Sequence, residues 1–502
     1  MSKNYIKKHI FIILTFLFFL LSFSWFFHYF SSKFTDGYKI MWLNFLGADY
    51  KLPLETPKPL IALLAGVLSH YYYFFIAFCL SLLGILLILF SQEFICFSIN
   101  GLFAFLLYFF GNLEGLQYFF SGYWPVVYLP FLFLSYFLFI KKYYSFSFFF
   151  LFLTGLIRPE SWFIELIFLG WLMARKEKIK IIYFLPLLSP LIWCVFDYKI
   201  SGNPFFSYLI TKRYALISGF APVTFIKFFS YLFKSFFIHH NFLLILLGIS
   251  LILTRVMILR KNEEILLFII GITPILLYWI FTLKKGIIIY PRFFSFFTLT
   301  IYIYICFFPS FFLKKIKRKK MKSFLNILFL STLFLISFDF KVFKKYIDKK
   351  VEKKKEFLEL QEAVKFLKAY FAKEEMKGKV IISARKAGVF FLQLGPEFSH
   401  HTVYFREVGR HPTLFSKNIP ALAIYTCDIY KNPLLTTLFF VYLHSGKESF
   451  IMNKLMHEIY KVVPIFFSSH RKVIIYKISK IKVKNDNQKP ITSGGCANGT
   501  KR

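Results

Sequence analysis

Residues 10–30 read IFIILTFLFFLLSFSWFFHYF, a run without Asp, Glu, Lys or Arg, and Lys3, Lys7 and Lys8 stand just ahead of it. A helix of about 20 residues, rising 1.5 Å per residue, crosses the ~30 Å of hydrocarbon in a bilayer. In lipid every backbone N–H and C=O needs a partner inside the protein, which leaves helices and closed barrels as spanning structures. Runs of the same kind recur to residue 338, and the alternating ten-residue strands of a barrel are absent. The run at 10–30 has the basic flank of a secretory signal, yet it is long and lacks a small-residue cleavage site, so it is expected to be a retained first helix.

Composition agrees. The 502 residues are 57% hydrophobic and 22% aromatic, against about 45 to 50% apolar in an ordinary soluble chain. The sequence therefore predicts an α-helical polytopic membrane protein of about eleven transmembrane helices. After the first they are expected near 60–90, with a short interfacial piece first, then 95–110, 125–140, 144–157, 160–174, 180–197, 241–258, 265–282, 293–312 and 324–339.

The formal net charge of +38 does not point to nucleic acid, because the Lys and Arg gather in short clusters between apolar runs. Lys3/Lys7/Lys8, Lys141/Lys142, residues 175–180, Arg255/Arg260/Lys261 and residues 314–322 all fall on one side of the membrane with this helix count. Basic residues in short loops stay cytoplasmic. That side is read as the cytoplasm of a cell (inner) membrane, which leaves the segment from about residue 341 extracytoplasmic. The six cysteines, Cys79, Cys96, Cys194, Cys306, Cys427 and Cys496, show neither disulfide-framework nor metal-ligand spacing.

Three domains follow: a transmembrane part over 1–340, a small extracytoplasmic α/β domain over 341–481, and a polar, disordered tail over 482–502. In the α/β domain, 351–371 has helical periodicity through Phe357, Leu360, Val364, Leu367 and Phe371. Residues 380–383, 421–425, 438–443 and 472–478 read as strands. Ser399-His400-His401 and Arg410-His411 read as solvated loop residues, since adjacent histidines poorly present one tetrahedral face.

The chemistry is expected in the outer connections, of which 31–58 and 198–240 are long, with a shorter one at 283–292. Asp36, in Phe34-Thr35-Asp36-Gly37-Tyr38, follows the first helix and is the candidate catalytic base. The alternative for it is a helix N-cap. Asp49 and Glu55 share that loop as solvated charges. Gly155-Leu156-Ile157-Arg158-Pro159-Glu160 interrupts an apolar stretch whose halves are short for a span. They predict a hairpin with Arg158 and Glu160 at its tip. Ionisable groups at membrane depth are expensive, ~2.5 kcal/mol or more on insertion scales, and default to function. The plainer reading is a tie from Arg158 to Glu160 or to a carbonyl that only fastens the hairpin. Arg213, Lys285 and Arg292, with Tyr290, are further outer candidates for binding a lipid-linked phosphate or pyrophosphate.

These features together resemble the GT-C glycosyltransferases of the protein mannosyltransferase and aminoarabinose transferase kind. The resemblance rests on the acidic first loop, Thr56-Pro57-Lys58-Pro59-Leu60, Ser121-Gly122-Tyr123-Trp124, the Arg158-Pro159-Glu160 tip, Gly202-Asn203-Pro204 and Tyr290-Pro291-Arg292-Phe293. It spans about residues 10 to 312. The pattern departs in the first loop, which carries a single Asp-Gly where many relatives have paired acids, and after the third helix, where only Glu114 follows. The resemblance implies an inverting transfer of a sugar from a polyprenyl-phosphate donor to a lipid, glycan or protein acceptor on the outer face. Asp36 is the implied base, and Arg158, Arg213, Lys285 and Arg292 the implied phosphate ligands. No cofactor is required, with a divalent cation at Asp36 as the exception to watch. A transporter or flippase of a lipid-linked sugar is the rival class, although such proteins favour internal repeats and none is evident here. A surface-polysaccharide polymerase or ligase would instead be expected to carry one large late outer loop. A bare membrane anchor does not explain ionisable residues at the tip.

Overall fold

The computed structural model describes residues 3–30, 36–48, 58–68, 71–95, 98–121, 124–209, 211, 230, 242–258, 262–285, 294–313, 316–373, 379–383, 393–404, 437–443, 460–469 and 473–480. The chain is a multi-pass helical membrane protein with a small sheet-containing part at its C-terminal end.

The helices are α1 (Lys3–Phe30), α2 (Asp36–Phe45), α3 (Pro59–Leu68), α4 (Tyr72–Ile95), α5 (Ser98–Phe110), α6 (Leu113–Ser121), α7 (Pro125–Ile140), α8 (Tyr144–Gly155), α9 (Glu160–Ala174) and α10 (Leu188–Ser201). A 3-10 segment, Ile181–Leu187, leads into α10. They continue as α11 (Phe242–Ile258), α12 (Asn262–Lys285), α13 (Ser295–Phe312), α14 (Lys319–Ser337) and α15 (Phe340–Phe371). Among the described residues Ile10–Phe27, Tyr72–Glu93, Ile181–Ser201, Asn262–Ile280 and Lys320–Ser337 are long and apolar enough to cross a membrane. The α5–α6 pair adds a sixth if it is counted as one broken span, bent by 86°. Pro59–Leu68, Pro125–Ile140, Tyr144–Gly155, Ile245–Thr254 and Ser295–Ser310 are shorter apolar helices. The apolar helices differ in length, and the short piece expected at the start of 60–90 is α3, ahead of the longer α4.

Lipid offers helices no hydrophobic reason to associate, so close approach and interhelical hydrogen bonds hold the bundle. Gly101 lets α5 cross α4 so closely that a Cβ there would stand 2.1 Å from the Leu87 carbonyl oxygen. The Ser135 and Ser147 hydroxyls each donate across α7 and α8 to the other residue's carbonyl, both at 2.8 Å. Asn326 of α14 donates to the Asn100 side chain of α5 at 2.7 Å, and Asn100 donates to the Cys306 carbonyl of α13 at 2.5 Å. At the α5–α6 bend Asn112 donates to the Tyr108 carbonyl and accepts from the Gly115 N–H at 2.6 Å, capping α6.

The chain divides into two compact units, residues 1–38 with 54–350, and residues 39–53 with 351–502. The second contains a five-stranded sheet in the order β2-β1-β3-β5-β4. Its strands are β1 (Lys379–Ser383), β2 (Thr402–Tyr404), β3 (Thr437–Leu443), β4 (Tyr460–Phe467) and β5 (Val473–Lys480). β1 runs parallel to β2 and β3, and β5 is antiparallel to β3 and β4. Leu360, Ala363, Val364, Leu367 and Phe371 of α15 form its core with Ile381, Leu394, Val473 and Ile475, and Leu43 and Ala48 pack against that core. The expected strand at 421–425 and the tail from 482 lie outside the described residues.

Candidate functional site

The tip of the α8–α9 hairpin is closed by its own backbone. The Ile157 and Arg158 N–H groups both donate to the Thr154 carbonyl at 2.9 Å, and the Thr154 hydroxyl donates to Leu151 at 2.7 Å. Pro159 lacks an N–H and suits the entry to α9, where no intrahelical acceptor exists for one. Glu160 then occupies the first turn, where a carboxylate meets the positive end of the helix. Gly155 fastens the base of the tip. Its carbonyl accepts from the indoles of Trp162, at 3.2 Å, and Trp193, at 3.0 Å, while a Cβ on it would press against Ser189.

Burial makes the tip's charges interdependent. Arg158 is 7% exposed and Glu160 5%. Arg158 donates to the Glu160 carboxylate and to the Tyr278 hydroxyl of α12, and Tyr278 donates to the same carboxylate at 2.5 Å. The Arg158 guanidinium also lies over Trp124, the residue just before α7, with Cζ 4.4 Å from the ring centroid. A second cation shares that indole: Lys58 Nζ is 5.8 Å from the Trp124 centroid and 5.8 Å from that of Tyr38, and Lys58 is only 5% exposed. Desolvated cation–π contacts are worth ~2 kcal/mol or more. The Leu60 N–H donates to the Leu156 carbonyl at 3.4 Å, which holds the start of α3 against the tip. Lys58 at the start of α3 and Arg158 with Glu160 at the α8–α9 tip thus meet around the rings of Tyr38, Trp124 and Tyr278. Glu160 Oε2 has no hydrogen-bond partner among the described residues.

Of the residues expected to act, Arg158 and Glu160 are brought together. The plainer reading, an Arg158 to Glu160 tie, is present, and it is one part of a larger set. Asp36 is the first residue of α2, two positions ahead of Tyr38. Lys285 is the last residue of α12. The side chains of both, and Asp49, Glu55, Arg213, Tyr290 and Arg292 altogether, lie outside the described residues. Asp197 accepts from the Ser207 N–H and hydroxyl, both at 2.8 Å, and closes the turn after α10, where Gly202 takes the left-handed φ of +73°. Glu114, buried in the first turn of α6, accepts from the Tyr118 hydroxyl. Cys79, Cys194 and Cys306 are free thiols. Sequence reasoning missed Lys58 and Tyr278 as partners of the tip. For Lys58 the available signal was a cation held between two prolines in a motif already singled out.

The chain is thus a bundle of short and long apolar helices with a cationic, aromatic-lined cluster where helix ends meet, followed by a small α/β part. The crystal structure of ArnT from Cupriavidus metallidurans bound to undecaprenyl phosphate is similar to it over 95% of this chain and 98% of that one, with a TM-score of 0.51 and 9% sequence identity. That likeness shows the fold. No protein-family model and no curated protein matches the sequence.

Proposed function

We propose that this chain is an inverting membrane glycosyltransferase that moves a sugar from a polyprenyl-phosphate donor to a lipid, glycan or protein acceptor at the extracytoplasmic face. The observation that carries this reading is the pair of buried cations, Lys58 and Arg158, that share the Trp124 indole beside the Glu160 carboxylate bound by Arg158. Such a set favours an anion, and a guanidinium can engage phosphate oxygens bidentately. The neighbouring fold in ArnT holds a polyprenyl phosphate, which supports the same ligand class here.

In the proposed reaction the acceptor hydroxyl oxygen attacks the anomeric carbon from the face opposite the phosphate. The bond from that carbon to the phosphate oxygen breaks, and the electron pair leaves with polyprenyl phosphate. Asp36 takes the hydroxyl proton, a form of help typically worth ~10² to 10⁴ in rate. Lys58 and Arg158 stabilise the charge that develops on the departing phosphate. Arg213, Lys285, Tyr290 and Arg292 are the further candidates for binding it. Glu160 and Tyr278 act through Arg158 and hold its fork in place. A phosphate leaving group departs without metal help, so no cofactor is proposed.

The test is transfer of radiolabelled sugar from polyprenyl-phosphate donors in membranes expressing wild type or Asp36→Asn at matched protein levels. Transfer by wild type that falls at least a hundredfold in Asp36→Asn, with donor binding kept, is the expected result. Full activity in Asp36→Asn removes that residue's role. Donor movement across the bilayer without transfer by wild type turns the reading to a flippase.

A further inference from the structure

α15 begins just beyond α14, the last helix among the described residues that is long and apolar enough to cross a membrane, and its opening turns are two-faced. α14 ends at Ser337, and Asp339 caps α15 by accepting the Val342 N–H on its carboxylate at 3.0 Å. One face is aromatic and belongs to the bundle. The Phe343 ring centroid lies 5.5 Å from Phe120, 5.5 Å from Phe338 and 6.3 Å from Phe110, and Tyr346 stacks on Phe120 at 5.8 Å with 12° between the planes. These contacts fix the rotation of the helix. Positions 341, 344 and 345, all Lys, then fall together on the opposite face, at i, i+3 and i+4. Lys341, Lys344 and Lys345 are exposed, and no hydrogen bond or ion pair to another described residue engages them. Asp348 is the one acid on that face within residues 340–350.

We infer that this lysine face is a binding surface for the phosphates of anionic phospholipid headgroups in the bilayer that α14 crosses. Three features fix the occupant as lipid. Lys341 follows the end of that apolar helix by four residues, at most about 14 Å of chain at ~3.5 Å per residue, which keeps it near headgroup depth. Phe340, 67% exposed beside it, supplies an apolar side chain at the same level. The aromatic seam to α5 and α6 holds the helix in register with the bundle, so the lysines are presented as a fixed row, each worth about fivefold in anionic-lipid association, the ratio equivalent to ~1 kcal/mol per surface Lys. The surface is independent of sugar transfer, and its test does not use the catalytic reaction.

The full chain in nanodiscs of zwitterionic lipid, doped with equal mole fractions of photoactivatable phosphatidylglycerol or phosphatidylcholine, is irradiated and the crosslinks are mapped by peptide mass spectrometry. Labelling of residues 338–350 several-fold higher with the anionic probe is the expected result. The excess falls with the triple variant Lys341→Gln/Lys344→Gln/Lys345→Gln, is kept in the corresponding Arg variant, and shrinks in wild type at 0.5 M salt. Equal labelling by both probes in wild type overturns the inference, as does an excess unchanged by the Gln variant. If the Gln variant does not fold, the salt series and the Arg variant decide alone. Loss of the excess on adding millimolar inorganic phosphate assigns the face to free phosphate and likewise overturns it.

Discussion

The α8–α9 tip and the C-terminal α/β unit use the same side-chain chemistry in opposite surroundings. At the tip Arg158 and Glu160, almost out of contact with solvent, are tied together and to the half-buried Tyr278. In the α/β unit Lys477 donates to the Tyr370 hydroxyl at 2.8 Å, and Lys368 approaches Glu397 at 3.9 Å with both side chains roughly half exposed. An exposed pair is worth about 0.2 to 1 kcal/mol, because water serves either ion nearly as well. Breaking a buried pair from one side strands a charge and costs about 3 to 5 kcal/mol. Charges at the tip are therefore retained at a cost that a fastening role alone, met equally by apolar packing, does not require.

The largest effect is expected from Arg158→Ala, which leaves Glu160 without its cation. Thermal unfolding in detergent should show a loss of about 3 to 5 kcal/mol, and an effect as small as that of a surface pair would erase the contrast between the two regions. Gly155→Val comes next, costing about 1 to 3 kcal/mol through overpacking against Ser189. Adding Ser189→Gly should recover part of that loss, and no recovery would mean the crowding lies elsewhere. Tyr278→Phe removes the hydroxyl bridging Arg158 and Glu160 while keeping the ring, for about 1 to 3 kcal/mol. Lys368→Ala in the α/β unit should change unfolding by less than about 0.5 kcal/mol.

The two regions also differ in how much of them the sequence discloses. Boundaries of α7, α8, α9 and α11 are legible because charged or Pro residues end apolar runs, as at Lys141/Lys142 and Pro159. The helix over 351–371 and strands β1, β3 and β5 follow from their periodicity. The strand β4 escapes such a reading because Pro464 lies inside it. It is an edge strand with an irregular register between Pro464 and Phe466, the place where a missing N–H is tolerated. α15 begins earlier than the periodic stretch at 351–371, since its first turns are Lys-rich and find their apolar partners on α5 and α6 rather than on the sheet. At the tip, Arg158 and Glu160 announce themselves as charges in an apolar stretch. Tyr278 does not: a Tyr in the apolar run of α12, 118 residues from Glu160, carries no local sign of its partner. The grouping of residues 39–53 with the C-terminal unit is equally silent, because long-range packing leaves no local periodicity to read.

The most direct test of whether the tip charges serve catalysis is sugar transfer by the double variant Arg158→Leu/Glu160→Leu beside wild type, at matched protein levels and with unfolding measured in parallel. Stability close to wild type with transfer abolished is the expected result, because apolar residues replace a buried ion pair at little cost but cannot hold a phosphate. Transfer retained in a stable double variant would contradict it and reduce Arg158 and Glu160 to a fastening for the hairpin.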